Sequence, residues 1–210
     1  ARGASMGPEA LRVAGLQDAL EARGLRVRDQ GNLHGPANPW QPPHRGYRHL
    51  PEVLAWNQAV HGAVAQALQH GALPILLGGD HCLAIGAISA VARHCRHAGK
   101  RLRVLWLDAH ADFNTQALTP SGNLHGMPLA TALGVDNLPC QRNHVDIETS
   151  LQWTQLKSNS VKFSDLIYVG VRSTEPEEDA VIEAEHITNI TVEKVRSLGI
   201  QQVLEQISHQ

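Results

Sequence analysis

Cysteine is scarce in this sequence, and it contains neither a long apolar run nor an excess of one charge. Its three cysteines, Cys82, Cys95 and Cys140, have no paired spacing, which argues against a disulfide framework and a thiolate zinc site. No apolar run approaches the ~20 residues that a membrane helix needs. Residues 1–8 lack the apolar core of a signal peptide. These absences favour a protein of the reducing cytosol that does not enter a membrane.

The charges are nearly balanced, with a formal net charge of -2 and lysines and arginines scattered along the chain. Neither nucleic acid nor an anionic membrane is therefore expected as a partner. The 210 residues are 42% hydrophobic and 18% charged, which is typical of a globular domain with a sizeable core. We expect a single domain over residues 1–210.

Apolar periodicity predicts alternating helices and strands. Helices are predicted from Gly7 to Gly24, Pro51 to Gly71, Leu83 to His97, Leu129 to Leu133 and Val195 to Ile207. Strands are predicted at 25–29, 73–77, 102–107, 166–172 and 187–192, and an irregular segment with Trp153 and Leu156 packed inward at 135–160. The segments 73–77, 83–97 and 102–107 are predicted to form a right-handed strand–helix–strand unit.

Three candidate metal ligands directly follow the buried strand predicted at 102–107. Asp108, His110 and Asp112 stand two residues apart, and in extended backbone this spacing places their side chains on one side. Open α/β sheets bind ligands at the carboxyl ends of their strands. Two carboxylates with one imidazole favour a hard or borderline divalent cation, Mn²⁺ rather than Zn²⁺. Single residues of these types are often only solvated, but three in register favour a metal site.

Further polar groups surround this motif in the sequence. His81 follows Gly78 and Gly79, which allow a sharp turn that presents the imidazole at the end of the strand predicted at 73–77. The segment 121–126 offers hydroxyl and amide groups that suit a polar ligand, with ordinary turn chemistry as the alternative. Acidic residues after the strand at 166–172 are predicted to stabilise a helix N-terminus. His34, His44 and His49 show no ligand periodicity and are predicted at the surface.

Three motifs, Gly-Gly-Asp-His at 78–81, Asp-Ala-His-Ala-Asp at 108–112 and Ser-Gly-Asn-Leu-His-Gly at 121–126, strongly resemble the arginase branch of the ureohydrolase family. The first two motifs are shared with agmatinases, whereas the third points to arginases. The resemblance implies a three-layer α/β/α sandwich with a parallel sheet and two Mn²⁺ ions per complete site. It also implies hydrolysis of L-arginine to L-ornithine and urea by a cytoplasmic homo-oligomer, trimeric or hexameric.

The resemblance assigns roles to the residues of the three motifs. His81 and His110 are similar to the family's terminal imidazole ligands, Asp108 to its bridging carboxylate and Asp112 to a further ligand. His125 resembles a histidine that passes a proton to the departing amine, a task suited to an imidazole near neutral pH. We therefore expect His125 and Asp112 to be the catalytic residues.

The resemblance also implies a substrate-binding set. Asn114, Thr119 and Ser121 match positions that hold the α-carboxylate of the substrate. Glu175 falls where arginases usually carry an aspartate for the α-amino group, and Glu178 matches an acidic position nearby. The longer side chain of Glu175 could shift the preference among guanidino substrates.

One part of the family pattern is absent from these 210 residues. The family continues with a strand that carries an Asp-x-Asp pair of metal ligands and later with a glutamate that faces the guanidinium. We therefore expect residues 1–210 to be a C-terminally truncated arginase-like catalytic domain that holds at most one metal ion tightly. The alternative to a fragment is a natural short paralogue with a half-built site. The alternatives for function are another amidinohydrolase, such as an agmatinase, and a non-catalytic ureohydrolase-like subunit whose metal is structural.

Overall fold

The computed structural model describes residues 3–37, 42, 47–136, 140–157 and 161–209. Its helices are α1 (Gly7–Val13), α2 (Leu16–Glu21), α3 (Leu50–Gln69), α4 (Ala84–His97), α5 (Pro128–Leu133), α6 (Ile147–Leu156), α7 (Pro176–Ala184) and α8 (Val192–Ser208). Its strands are β1 (Val104–Leu107), β2 (Leu166–Val169) and β3 (Thr188–Ile190).

The three strands form one parallel sheet in the order β1-β2-β3. Val104 is the register partner of Leu166 and Leu107 that of Val169, while Ile167 lies opposite Thr188. Because both pairs are parallel, the carboxyl ends of all three strands meet at the same edge of the sheet. The candidate metal ligands of residues 108–112 follow β1 at that edge.

Alternate side chains of the strands pack against helices on opposite faces of the sheet. Trp106 and Tyr168 belong to a buried cluster with Leu129 of α5 and with apolar residues of α4 and α7. Ile167 belongs to a second cluster, which contains Val203 of α8. Period-two alternation explains why neighbouring residues of β2 enter different clusters. The sheet is therefore the middle layer of an α/β/α arrangement.

Helices α3 and α4 approach each other closely at Gly86. The backbone amide of Gly86 donates to the Asn57 side-chain oxygen at 2.7 Å, and a Cβ at Gly86 would lie 2.4 Å from the Asn57 carbonyl oxygen. Val60, Val64 and Ala90 fill the rest of this contact. The contact fixes the first turn of α4, which directly follows the turn that carries His81.

Several of the predicted elements are confirmed with shifted ends. Helices α3, α4, α5 and α8 correspond to the helices predicted at 51–71, 83–97, 129–133 and 195–207, respectively. Strands β1, β2 and β3 correspond to the strands predicted at 102–107, 166–172 and 187–192. Trp153 and Leu156 are buried as predicted. The predicted first helix is divided into α1 and α2 because Gly15 adopts a left-handed conformation, with φ of 80°.

Three predictions of secondary structure are wrong. Residues 73–77 are not a strand: Leu73 and Ile75 are exposed, and no strand among the described residues pairs with them, so the predicted strand–helix–strand unit is absent. Residues 25–29 also form no strand. The segment predicted as irregular contains α6, which begins where Asp146 accepts a hydrogen bond from the Thr149 amide at 2.9 Å. Nowhere in the described ranges does a helix have the length and apolar character to cross a membrane.

Candidate metal centre

Three potential metal ligands converge at the carboxyl end of β1. One ligand atom each from His81, Asp108 and Asp112 lies within 4.8 Å of the other two. His81 Nδ1 is 2.8 Å from Asp112 Oδ2 and 3.2 Å from Asp108 Oδ2. Asp112 is buried, Asp108 is partly buried and His81 is exposed. One imidazole with two carboxylates fits a divalent cation of the Mn²⁺ type.

A turn and an aromatic ring position His81. Asp80 Oδ1 accepts a hydrogen bond from the Cys82 amide at 3.1 Å, which stabilises the turn from His81 to Leu83 that leads into α4. The imidazole of His81 stacks on the indole of Trp106, with ring centroids 4.6 Å apart. The Trp106 Nε1 atom is buried and has no hydrogen-bond partner among the described residues. The indole therefore contributes a flat surface to the site, without a hydrogen bond.

Asp108 stands between two imidazoles. Its amide donates to the Val169 carbonyl oxygen at 3.3 Å, which ties the end of β1 to β2. Its Oδ2 faces His81, while its Oδ1 accepts from the His110 amide at 3.0 Å and lies 3.5 Å from His110 Nδ1. The two oxygens of one carboxylate thus face two different histidines.

The three ligands predicted from residues 108–112 are not all brought to one point. Asp108 and Asp112 both face His81, whereas His110 is exposed and lies outside this group of three. The expected extended backbone does not continue to the end of the motif, because Asp112 adopts a left-handed conformation with φ of 49°. His110 is held at the sheet edge by an isolated parallel bridge to Ser173.

The surroundings shift the pKa values of the two residues at the turn, His81 and Asp80. The hydrogen bond to Asp112 raises the pKa of His81, burial opposes this effect, and the charges of Asp112, Asp108 and Asp80 add to it. Burial alone would raise the pKa of Asp80, but the hydrogen bonds from Cys82 and the nearby His125 lower it below its usual value. The site therefore concentrates negative charge around one imidazole, as a cation site requires.

His125 lies near this cluster in the short turn from Leu124 to Gly126. Its Nδ1 is 4.0 Å from Asp80 Oδ2, and its side chain is exposed. The carbonyl oxygen of Gly126 accepts from the Asn114 amide at 2.9 Å, which holds the turn against the segment that follows the metal motif. An accessible imidazole beside the candidate metal centre is suited to proton transfer.

The predicted carboxylate-binding residues differ in accessibility. Thr119 is buried, and its Oγ1 accepts from the Gly122 amide at 3.0 Å, so its hydroxyl helps to shape the loop. Ser121 is exposed, with its Oγ 3.3 Å from the Asn123 amide, and Asn114 is partly exposed. Asn114 and Ser121 therefore offer the accessible polar groups of this set.

Glu175 and Glu178 form the N-terminal capping box of α7. Glu178 is buried, and its Oε2 accepts from the Glu175 amide at 3.0 Å, whereas its Oε1 accepts from the Phe113 amide at 2.9 Å. Burial raises the pKa of Glu178, and the two amide donors oppose that rise. Glu177 also lies in this first turn and pairs with Arg142, which agrees with the predicted acidic helix start. A glutamate pair three residues apart is a readable signal for this cap.

Two residues that support the site were not predicted from any motif. Trp106 and Tyr168 appear in their predicted strands only as apolar positions, and no motif marks their contacts with His81 and with the Ala111 carbonyl oxygen. Of the histidines predicted at the surface, His34 is exposed and His49 is partly buried. The prediction for His44 lies outside the described residues.

A model of the Arginase family matches residues 1–210. An arginase from Staphylococcus aureus is 32% identical over 206 residues, which are 97% of this chain and 63% of that protein. The structure of an arginase from Bacillus caldovelox matches with a TM-score of 0.81 and 35% identity, over 96% of this chain and 63% of that one. An Entamoeba histolytica arginase solved with L-ornithine matches with a TM-score of 0.80 and 30% identity, over 97% of this chain and 64% of that one.

These similarities confirm the predicted fold class, an α/β/α sandwich with a parallel sheet. They also give the extent of the match, because the chain spans 63% of the length of the S. aureus relative.

Proposed function

We propose that the metal centre of this chain, which belongs to the arginase family, binds Mn²⁺ and serves hydrolysis of L-arginine to L-ornithine and urea. The position of Asp108 carries this proposal. One of its carboxylate oxygens faces His81, beside Asp112, and the other faces His110. A carboxylate with an imidazole on each side supports a site whose residues would hold metal for hydrolysis.

The donor chemistry fits Mn²⁺ at both positions. His81, Asp112 and Asp108 Oδ2 would hold one ion, and His110 with Asp108 Oδ1 would contribute to a second. When bound, the metal activates water for attack on the guanidinium carbon at neutral pH. The protein keeps these ligands in place through β1, the turn before α4 and the edge of β2.

We assign proton transfer to His125. Its imidazole is exposed and lies beside Asp80, within the same group of turns as His81. The amine that leaves the guanidinium carbon must gain a proton, and an imidazole exchanges protons near neutral pH.

Asn114 and Ser121 are proposed to bind the α-carboxylate of the substrate, and Thr119 to hold the loop between them. Glu175 is proposed to face the α-amino group, because it lies at the partly exposed start of α7. A carboxylate is the natural partner of an ammonium group. The L-ornithine bound by the E. histolytica arginase carries both groups, which supports a substrate of the amino-acid class.

Location and assembly belong to the same proposal. A homo-oligomer, trimeric or hexameric, is proposed on the family resemblance alone, and a cytoplasmic location on the unpaired spacing of the three cysteines. The balanced charge of the chain supports a small-molecule substrate and no nucleic-acid partner.

The test uses the purified 210-residue chain after dialysis against Mn²⁺. Elemental analysis should find bound manganese that is lost in Asp108→Ala, and the same sample should release urea slowly, from arginine faster than from agmatine. Equal or faster turnover of agmatine would replace arginase by agmatinase activity. Bound metal without any urea would mean that these 210 residues are a fragment of a longer enzyme or a non-catalytic relative, and the absence of bound metal would contradict the proposed metal centre.

A further inference from the structure

The backbone of Asp112 adopts a conformation that few residues other than glycine take. Its φ is 49°, in the left-handed region, and the residue is buried within the turn that follows β1. Aspartate tolerates this conformation better than most residues, but it does not favour it. The direction of the Asp112 carboxylate, 2.8 Å from His81 Nδ1, therefore depends on contacts that hold this backbone in place.

Two buried side chains hold the peptide groups on either side of Asp112. The hydroxyl of Tyr168 donates to the Ala111 carbonyl oxygen at 2.8 Å, and the carboxylate of Glu178 accepts from the Phe113 amide at 2.9 Å. The first hydrogen bond fixes the peptide plane before Asp112, and the second fixes the plane after it. Together they restrict both φ and ψ of Asp112. The amide of Leu129 adds a bond of 3.2 Å to the Asp112 carbonyl oxygen.

We infer that Tyr168 and Glu178 are positioning residues for Asp112, which hold its strained backbone so that its carboxylate points at the metal centre. The inference rests on the proposed function only in assuming that this carboxylate binds a metal ion. Tyr168 belongs to β2 and Glu178 to α7, and they lie 57 and 65 residues along the chain from the groups that they bind. The packing of β2 and α7 against the turn at residues 111–113 therefore helps to set the geometry of the site.

The surroundings of Glu178 agree with this role better than with a substrate contact. Its side chain is buried, and each of its two carboxylate oxygens already accepts from a backbone amide. The same carboxylate caps α7 through the Glu175 amide, so the helix start and the metal-binding turn share one anchor. Substrate binding at this end of α7 is then left to Glu175.

The test compares two variants with two matched controls. Tyr168→Phe removes only the hydroxyl, and Tyr47→Phe is its control, because the Tyr47 hydroxyl makes an equally buried bond of 2.6 Å to the Gln116 carbonyl oxygen. Glu178→Gln leaves one amide without a suitable acceptor, and Glu177→Gln removes a charge from the same helix start without touching the metal-binding turn. For every protein, electron paramagnetic resonance measures free Mn²⁺, and thermal unfolding without metal measures stability.

Tyr168→Phe and Glu178→Gln should each weaken Mn²⁺ binding ~10-fold, as the loss of groups that orient a ligand commonly does. Tyr47→Phe and Glu177→Gln should keep the affinity of the parent chain, even where they lower the unfolding temperature by a similar amount. Unchanged affinity in the first pair, with stability lowered as in the controls, would reduce Tyr168 and Glu178 to ordinary structural residues and overturn the inference.

Amide exchange separates failure of this inference from failure of the proposed function. If the parent chain binds no Mn²⁺, the proposed function fails, but the hydrogen bond to the Phe113 amide can still be measured. In Glu178→Ala, which removes both acceptor oxygens, that amide should exchange at least ~10-fold faster than in Glu177→Ala, since its acceptor is lost. Equal exchange rates in the two variants would overturn the positioning role with or without metal.

Discussion

The imidazole of His81 lies flat on the indole of Trp106, with ring centroids 4.6 Å apart and ring planes 12° from parallel. Trp106 belongs to β1 and precedes Asp108 by two residues, so one candidate ligand follows the strand that supports the ring of another. A stacked ring limits rotation of the imidazole about its side-chain bonds. The pair therefore reduces the freedom that His81 would lose on binding a metal ion.

Substitutions of Trp106 should distinguish the effect of ring stacking on Mn²⁺ affinity from the effect of simple burial. Trp106→Phe keeps an aromatic face and should bind Mn²⁺ within about threefold of the parent chain, whereas Trp106→Leu should bind it ~10-fold more weakly. Titration of free Mn²⁺ by electron paramagnetic resonance measures both affinities. Trp153→Leu is the control, because Trp153 is equally buried and lies outside the metal centre. Equal affinities for the Phe and Leu variants would show that stacking has no part in the site.

Close packing at Gly86 should make α4 intolerant of even one added methyl group. Gly86→Ala would bring a Cβ within 2.4 Å of the Asn57 carbonyl oxygen, and we expect a loss of ~1–3 kcal/mol in the free energy of unfolding. Gly62→Ala is the matched control in α3, where an added Cβ meets nothing within 4 Å. That variant should gain up to ~1 kcal/mol from its higher helix propensity. Urea denaturation measures both, and a stable Gly86→Ala protein would contradict the observed helix contact.

Asp136 should make the free energy of unfolding depend on pH in the acid range. Burial would raise its pKa, but hydrogen bonds from Lys157, Gln116 and Trp153 lower it below its usual value. The pKa of Asp136 in the folded protein is thus below its unfolded value of ~3.9. The stability that the ionised carboxylate contributes is therefore complete above the unfolded pKa and is lost as the pH falls through the folded pKa.

The corresponding measurement is the free energy of unfolding of the parent chain and of Asp136→Asn between pH 3 and pH 6. The parent should be the more stable protein at pH 6, by an amount kept modest because the Asp136 side chain is about one third exposed. The difference should narrow toward pH 3. A constant difference across this range would show that the carboxylate charge does not stabilise the fold.

The sequence predicted those parts of the fold that one segment determines by itself. The long amphipathic patterns of α3 and α4 were readable because a helix satisfies its own backbone hydrogen bonds. The strand before Asp108 was readable from its apolar run, and the ligand types followed from the motif. His81 joined the site on motif evidence, and the structure places it against Asp108 and Asp112.

The errors concern features that depend on a partner elsewhere in the chain. Residues 73–77 have the composition of a strand, but a strand exists only where a neighbour supplies hydrogen bonds, and none of the described residues does so. The position of His110 differs from expectation because the left-handed turn at Asp112 ends the extended register. The contacts of Tyr168 and Glu178 span 57 and 65 residues, and no local pattern reports such distances.

The metal centre is tested most directly by measuring Mn²⁺ binding to the parent chain and to Asp112→Asn with electron paramagnetic resonance. Asparagine keeps the size of the side chain and removes the charge that faces His81. The control is Asp179→Asn, because Asp179 is exposed and its carboxylate accepts from the Thr174 hydroxyl at 2.6 Å, away from His81. We predict that the parent binds one Mn²⁺ tightly, that Asp112→Asn binds it at least ~10-fold more weakly, and that Asp179→Asn matches the parent. Equal binding by the parent and Asp112→Asn would contradict a metal centre built from His81, Asp108 and Asp112.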